Sequence, residues 1–383
     1  MNNRNSAFSN QNHKRDSCSF ESLTVDPGKT YRFRIIGATS LHYLHFHIPG
    51  HTLYVIEADG EKLQPFKTDY IEVNSGQRYS FLVTADQTPK DYWMRTETKW
   101  RGGTVTFNNG YSLLRYTNVT AAALANSPVV STTPIESVGT WVSQLKPLLG
   151  TYLPPPTKVD DVIILKGMQK VVQGYLKWVV NDVSMRLPSA PHLQSMYGNA
   201  SIRDVPQTAP IKLTLGKTYD IILQNYATAK GICEQHSWHL HGYSFWDMGG
   251  KDGVWSSSEK LNNIDPIRRD TSTVFGYKFA HWNIAKTGVS AEPFAACGWR
   301  ALRIVGASSF SSLIPKASTN WICKTQADNP GMWLFHCHVT AHMILGMGVV
   351  FQVGESSDLP PLPSTFTGFK NPPRFKFSAG GQV

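Results

Sequence analysis

Three side chains able to bind metal stand consecutively in Phe335-His336-Cys337-His338-Val339, followed by His342 and Met347, and this run narrows the choice of fold more than any other feature of the chain. Apolar, β-prone residues (Trp333, Leu334, Phe335, Val339) flank the triplet, which predicts a strand over 332–340. Successive strand side chains point to opposite faces, so Cys337 is directed to one side and His336 and His338 to the other. One strand can then serve two metal sites, with a single peptide as the bridge. A thiolate, two imidazoles and a weakly bound thioether form the donor set of a blue-copper electron-transfer centre. Cys337, His342 and Met347 supply all but one imidazole of that set.

The missing imidazole has a candidate in His236-Ser237-Trp238-His239-Leu240-His241-Gly242. The same parity holds there: His239 and His241 share a face and His236 takes the other. His236 can therefore complete the Cys337 site, while His239 and His241 join His336 and His338 in a second, all-imidazole site. Histidines near apolar residues are commonly satisfied core or surface groups, but two clusters of matching parity do not arise readily that way.

At 383 residues the chain has a two-domain length with material for two cores. It carries 37 basic against 27 acidic residues, a formal charge of +10, without a block of like charges. That pattern reads as a solvated basic surface, mildly favourable to anionic small molecules, and argues against a nucleic-acid partner. No apolar run is long enough for a membrane span, and Met1 to Asp16 lacks the apolar core of a signal peptide. One of the five cysteines (Cys18, Cys233, Cys297, Cys323, Cys337) is claimed by metal, so no disulfide framework follows from the count. Sequons at Asn118 and Asn199 would permit glycosylation of a secreted chain.

Residues 1–20 read as a disordered polar start. From 21 to 120, short alternating runs (Tyr31–Ile36, Thr52–Ala58, Tyr70–Val73, Tyr79–Thr84, Tyr92–Thr96, Thr104–Phe107, Ser112–Tyr116) are separated by turn signals such as Pro27-Gly28 and Ser75-Gly76. Many short strands at this spacing predict a Greek-key β-sandwich or barrel. Within this part, His45 and His47 share a face and could chelate a metal, but Leu44, Phe46 and Ile48 read as the core side, which assigns the histidines to a solvated face. Residues 121–157, rich in Pro, Thr and Ala, read as a linker draped on the surface. A second sandwich is expected over 158–355, carrying all the metal motifs, and 356–383 reads as a tail. The fold class is thus all-β, two sandwiches in tandem.

The two motifs resemble the C-terminal signatures of multicopper oxidases, in particular their ascorbate-oxidising plant members. Further runs carry the resemblance: Tyr31-Arg32-Phe33-Arg34-Ile35-Ile36, Val55 to Gly60, Gly174 to Asp182, and Gly346 to Phe351. It covers nearly the whole chain. It implies two cupredoxin-like domains and copper as cofactor: His236, Cys337, His342 and Met347 at a mononuclear type 1 copper, His239 at a type 2 copper, and His241, His336 and His338 at a type 3 pair. It also implies one-electron oxidation of ascorbate or another small reductant coupled to reduction of dioxygen to water. Cys337, His336 and His338 would form the electron path, and Trp178 and His342 would contact the substrate. A secreted location follows from the resemblance, and self-association is left open.

The chain departs from the family pattern in three ways. Stretches at about 276–296 and 306–326 interrupt it, either as surface loops or as sequence foreign to the mature chain, and Cys297 and Cys323 would then be incidental. Ser237, Tyr243, Ser244, Thr340, Ala341 and Ile344 replace the usual residues around the donors, which weakens the assignment of the reductant. The chain also starts inside the second domain of the pattern and so carries half of the histidines that the family's oxygen-reducing cluster uses. The expectations are therefore an ascorbate oxidase-type enzyme incomplete in this chain, a laccase-like phenol oxidase or ferroxidase, or a truncated copper-binding protein without catalysis.

Overall fold

Along Thr30–Ile36 the half-buried Tyr31, Phe33 and Ile35 alternate with exposed neighbours, the two-residue period of a strand with one face on a core. The computed structural model describes residues 20–99, 109–117, 119, 140–186, 192–197, 209–276, 287–306, 329–362 and 364. The polar start, both sequons, Cys18, Cys323, the strand expected at Thr104–Phe107, about half of the linker, the second interrupting stretch beyond Gly306 and most of the tail lie outside the described residues.

The first sandwich is built from β1 (Ser22–Val25), β2 (Thr30–Ile36), β3 (Tyr43–His47), β4 (Leu53–Ala58), β5 (Glu61–Thr68), β6 (Tyr70–Val73), β7 (Arg78–Thr84), β8 (Asp91–Lys99) and β9 (Gly110–Tyr116). They form sheets of order β1-β9-β8-β3-β6 and β2-β7-β4-β5, so chain neighbours repeatedly cross between sheets, the Greek-key manner of connection. Phe46, Ile71 and Leu114 of one sheet meet Leu53, Val55 and Phe81 of the other in the core. Asp59 and Gly60 join β4 to β5 with φ of 50° and 94°, the left-handed pair that a two-residue hairpin turn requires.

His45 and His47 are not solvated. They are 3% and 7% exposed, because β3 is an interior strand between β6 and β8 and faces their carboxylates. His45 Nε2 lies 3.2 Å from Glu72 Oε1 with its ring stacked on Tyr70, and His47 Nε2 lies 3.3 Å from Glu97 Oε1. Alternation told which face the histidines take. The sheet's neighbours decided that this face is dry.

The second sandwich comprises β10 (Asp161–Val172), β11 (Tyr175–Val180), β12 (Ile211–Leu213), β13 (Lys217–Tyr226), β14 (His236–Leu240), β15 (Phe245–Asp252), β16 (Arg268–Arg269), β17 (Thr271–Val274), β18 (Ala296–Gly306), β19 (Gly331–Cys337) and β20 (Gly348–Val353). The sheet β11-β10-β13-β18-β15-β16 packs on β12-β20-β19-β14-β17 through Leu165, Ile221 and Leu302 on one side and Trp238, Phe335 and Phe351 on the other. β19 stops at Cys337, short of the expected 340, because Thr340–Ile344 turns into a short helix.

Two stretches are more tightly built than the sequence suggested. Trp141, inside the expected linker, is buried on the first sandwich, donating its indole N–H to Tyr70 O at 3.1 Å. Cys297 is not incidental: it stands second in β18 and forms a disulfide with Cys233, 64 residues earlier, with a Cα–Cα distance of 5.7 Å. Ala291 and Ala295, from the first interrupting stretch, pack against that bridge. An odd cysteine count could not reveal the pair, since pairing depends on the β13–β14 connection meeting the start of β18. Cys337 stays free and buried.

Candidate metal centre

β14 and β19 are antiparallel neighbours in register Trp238↔Cys337, His239↔His336 and Leu240↔Phe335. Directly opposed residues share a face, so the register brings His239 beside His336 on one face and puts His236 and Cys337 on the other.

On the Cys337 face, His236 Nδ1 and His342 Nδ1 lie 3.6 Å and 3.8 Å from Cys337 Sγ and 3.0 Å from each other. The short helix delivers His342, and all three residues are buried. Met347 is 1% exposed and is tied in by its backbone: Cys337 N–H donates to Met347 O at 3.0 Å, and Met347 N–H to His342 O at 2.9 Å. Its methyl group packs over Gly167 of β10, where a Cβ would come within 2.5 Å of it. Trp178 of β11 packs its ring on both imidazoles, at centroid distances of 4.7 Å from His236 and 4.6 Å from His342.

A transition-metal ion held at about 2.0 Å from imidazole nitrogens and about 2.3 Å from a thiolate sets donor atoms roughly 3 to 4 Å apart. The trio meets that condition and its donor types suit copper. Burial pushes the Cys337 thiol up to about 12 in the metal-free chain. Metal must therefore displace a proton, and uptake is expected to release it.

On the opposite face, His241 Nε2 lies 3.2 Å from His336 Nε2, and His239 and His338 complete the group with ring centroids 5.8 Å apart. Hydrogen-bond partners assign the tautomers. His336 Nδ1 is 3.0 Å from Cys337 O, which can only accept, so Nδ1 carries the hydrogen and Nε2 is left bare. His239 Nδ1 is 3.0 Å from both Asp270 O and Thr271 Oγ1, with the same result. Thr271 in turn donates to Asp270 Oδ1 at 2.8 Å, and Arg78 of the first sandwich grips both carboxylate oxygens at 2.5 and 2.7 Å. Burial alone would raise the Asp270 carboxyl, but hydrogen bonds from Arg78, His239 and Thr271 hold it well below the usual carboxylate range. Asp270, Thr271 and Arg78 had no signal in the sequence, because their partners lie far along the chain.

Burial pushes His336 down to about 4 and lowers His241 and His338, with the neighbouring imidazoles adding to it. Between about pH 4 and 6.5 the unfolded chain then binds more protons than the folded one, so stability falls as pH drops through that window. For the metal-free chain we expect a loss on the order of 3 kcal/mol from His336 alone. Thermal unfolding in chelator-treated buffer at a series of pH values checks this, and a flat profile across the window would refute it.

The second sandwich gathers His236, Cys337 and His342 on one side of β14 and β19 and four imidazoles on the other, and the donor types of the trio suit copper. Family models described as multicopper oxidase match residues 1–119 and residues 182–285 with 313–357. The chain belongs to the multicopper oxidase family. It is 34% identical over 370 residues to an L-ascorbate oxidase from Cucurbita pepo var. melopepo, covering 88% of this chain and 59% of that protein. A laccase-like multicopper oxidase from Thermothelomyces thermophilus is 30% identical over 384 residues, covering 90% of this chain and 54% of the relative. Among solved structures, the laccase from Botrytis aclada superposes with a TM-score of 0.66 at 25% identity, over 89% of this chain and 55% of that one. The chain thus spans a little over half the length of the curated relatives it matches.

Proposed function

We propose that this chain serves a copper-dependent oxidoreductase of ascorbate oxidase type, taking electrons at the Cys337 trio and passing them to the four-imidazole group. The observation that carries this reading is the placement of Cys337 Sγ in one cluster while the rings of its chain neighbours His336 and His338 stand in the other. Copper bound there would supply one-electron oxidation of the reductant and reduction of dioxygen. His236, Cys337 and His342 would hold the mononuclear ion, with the Met347 thioether as a weak further donor. His239, His241, His336 and His338 would offer the oxygen-side donors. The peptide between Cys337 and either neighbouring histidine gives electrons a covalent route. The dry surroundings of the trio exclude water from the thiolate. Electrons from a small reductant would enter through His342, 6% exposed and packed on the buried Trp178, and the net positive charge favours an anionic reductant such as ascorbate. The second reading, a phenolic donor, draws support from the likeness to laccases. The Cys233–Cys297 bridge supports an oxidising, extracellular location.

Ascorbate added to the copper-loaded chain under argon is expected to bleach the blue thiolate band, faster than a phenol at equal concentration. Oxygen uptake by this chain alone is expected near background, since it brings half of the family's cluster histidines. Absence of the band would overturn the electron-entry site, and faster bleaching by the phenol would transfer the assignment to the laccase-like reading.

A further inference from the structure

The first sandwich reaches into the imidazole group through the turn Asn74-Ser75-Gly76-Gln77, between β6 and β7. Ser75 Oγ lies 3.0 Å from His338 Nδ1, 2.9 Å from His338 O and 2.5 Å from Thr39 O. A hydroxyl has one hydrogen to donate, and carbonyl oxygens only accept. The hydrogen of Ser75 therefore goes to a carbonyl, and toward the ring Ser75 can only accept. His338 must then carry its hydrogen on Nδ1, which leaves Nε2 as the bare nitrogen. The ring also lies directly on Gly76, where a Cβ would stand 2.6 Å from Cδ2 and 2.9 Å from Cγ. The turn is itself anchored to the second sandwich: Ser237 Oγ donates to Ser75 O at 2.7 Å and Asn74 Nδ2 to Thr273 Oγ1 at 3.2 Å. Asn74, Ser75 and Ser237 are at most 1% exposed, so no water competes for these bonds.

We infer that Ser75 is a positioning residue of the four-imidazole group: its oxygen selects the Nδ1-protonated tautomer of His338, and with Gly76 it sets the plane of that ring. The first sandwich, which brings no donor of its own to this group among the described residues, thereby decides which nitrogen of His338 faces a metal ion. The inference rests on His338 being a ligand only for its consequence. The tautomer is a property of the metal-free chain, so it is tested apart from copper chemistry.

Histidine-selective 15N labelling of the whole metal-free chain, with a long-range 1H–15N spectrum at neutral pH, reads the tautomer directly, and a His338→Gln sample identifies the His338 signals. The parent is expected to show Nδ1–H. Ser75→Ala is expected to shift His338 toward the Nε2–H form, and Ser75→Thr, which keeps the hydroxyl, to restore Nδ1–H. With zinc ion alone as probe, Ser75→Ala should weaken uptake at the imidazole group about ten- to a hundredfold. The thiolate band of the copper-loaded variant should be unchanged. An Nε2–H signal in the parent overturns the inference whatever the variants do. So does an Nδ1–H signal that persists in Ser75→Ala. Should Ser75→Ala not fold, Ser75→Thr decides, because loss of Nδ1–H with the hydroxyl present contradicts the assignment.

Discussion

Replacing Cys337 with serine is expected to abolish the intense visible band of the copper-loaded chain and to lower its copper content by about one ion, while the fold persists. Only a thiolate combines the soft donor character and the charge transfer that such a site needs, and a serine hydroxyl does not ionise under these conditions. The side chain is fully buried with His236 Nδ1 and His342 Nδ1 at 3.6 and 3.8 Å, so a serine hydroxyl retains an imidazole partner within the cluster. The stability cost is therefore expected near 1 kcal/mol, the scale of one exchanged hydrogen bond. Copper analysis, the absorption spectrum and far-ultraviolet circular dichroism on one sample check all three statements. A blue band surviving in Cys337→Ser would refute the assignment of the trio.

Asp59→Asn is expected to cost about 3–5 kcal/mol, a large share of the stability of a chain this size. Asp59 Oδ2 accepts from Arg269 Nε at 2.9 Å, and both side chains are wholly buried between the sandwiches. Arg269 also donates to Tyr79 OH at 3.2 Å, and next to it the Arg78–Asp270 pair crosses the same boundary in the opposite sense. Removing the Asp59 charge would leave a guanidinium buried without its counter-ion. Asparagine is the appropriate replacement because position 59 has a φ of 50°, which Asn tolerates as Asp does, so the loss reports the charge rather than the turn. Arg269→Met in the same chain should return part of the stability, since the stranded charge is then gone. Urea unfolding measures both. A loss below about 1 kcal/mol for the single variant would show that the pair is not the clasp between the sandwiches.

The faces taken by Cys337 and the motif histidines were legible because strand parity is a local rule. His236 and Cys337 on one side, and His239, His241, His336 and His338 on the other, follow from counting residues by twos, and the register of β14 against β19 brings the two counts together. The same counting misjudged His45 and His47. Parity gives a face but not what covers it, and an interior strand bordered by Glu72 and Glu97 can bury imidazoles that look solvated in one dimension. Trp141 shows the converse: a lone tryptophan in a Pro- and Thr-rich run carries no period, yet its indole fills a site on the first sandwich.

By itself, the amino-acid sequence determined the all-β class, the two histidine-rich motifs and the division of their side chains between the two faces of β14 and β19, because each depends on residue type and spacing within a few positions. Tertiary structure alone decided that Cys233 meets Cys297, that Asp270 braces His239 through Thr271, and that Ser75 holds His338 across 263 positions of chain. Those contacts join residues whose nearness is set by how one sandwich packs on the other and how strands cross between sheets. Hydrogen-bond reach of about 3 Å is shorter than any pattern in the chain can specify at such separation.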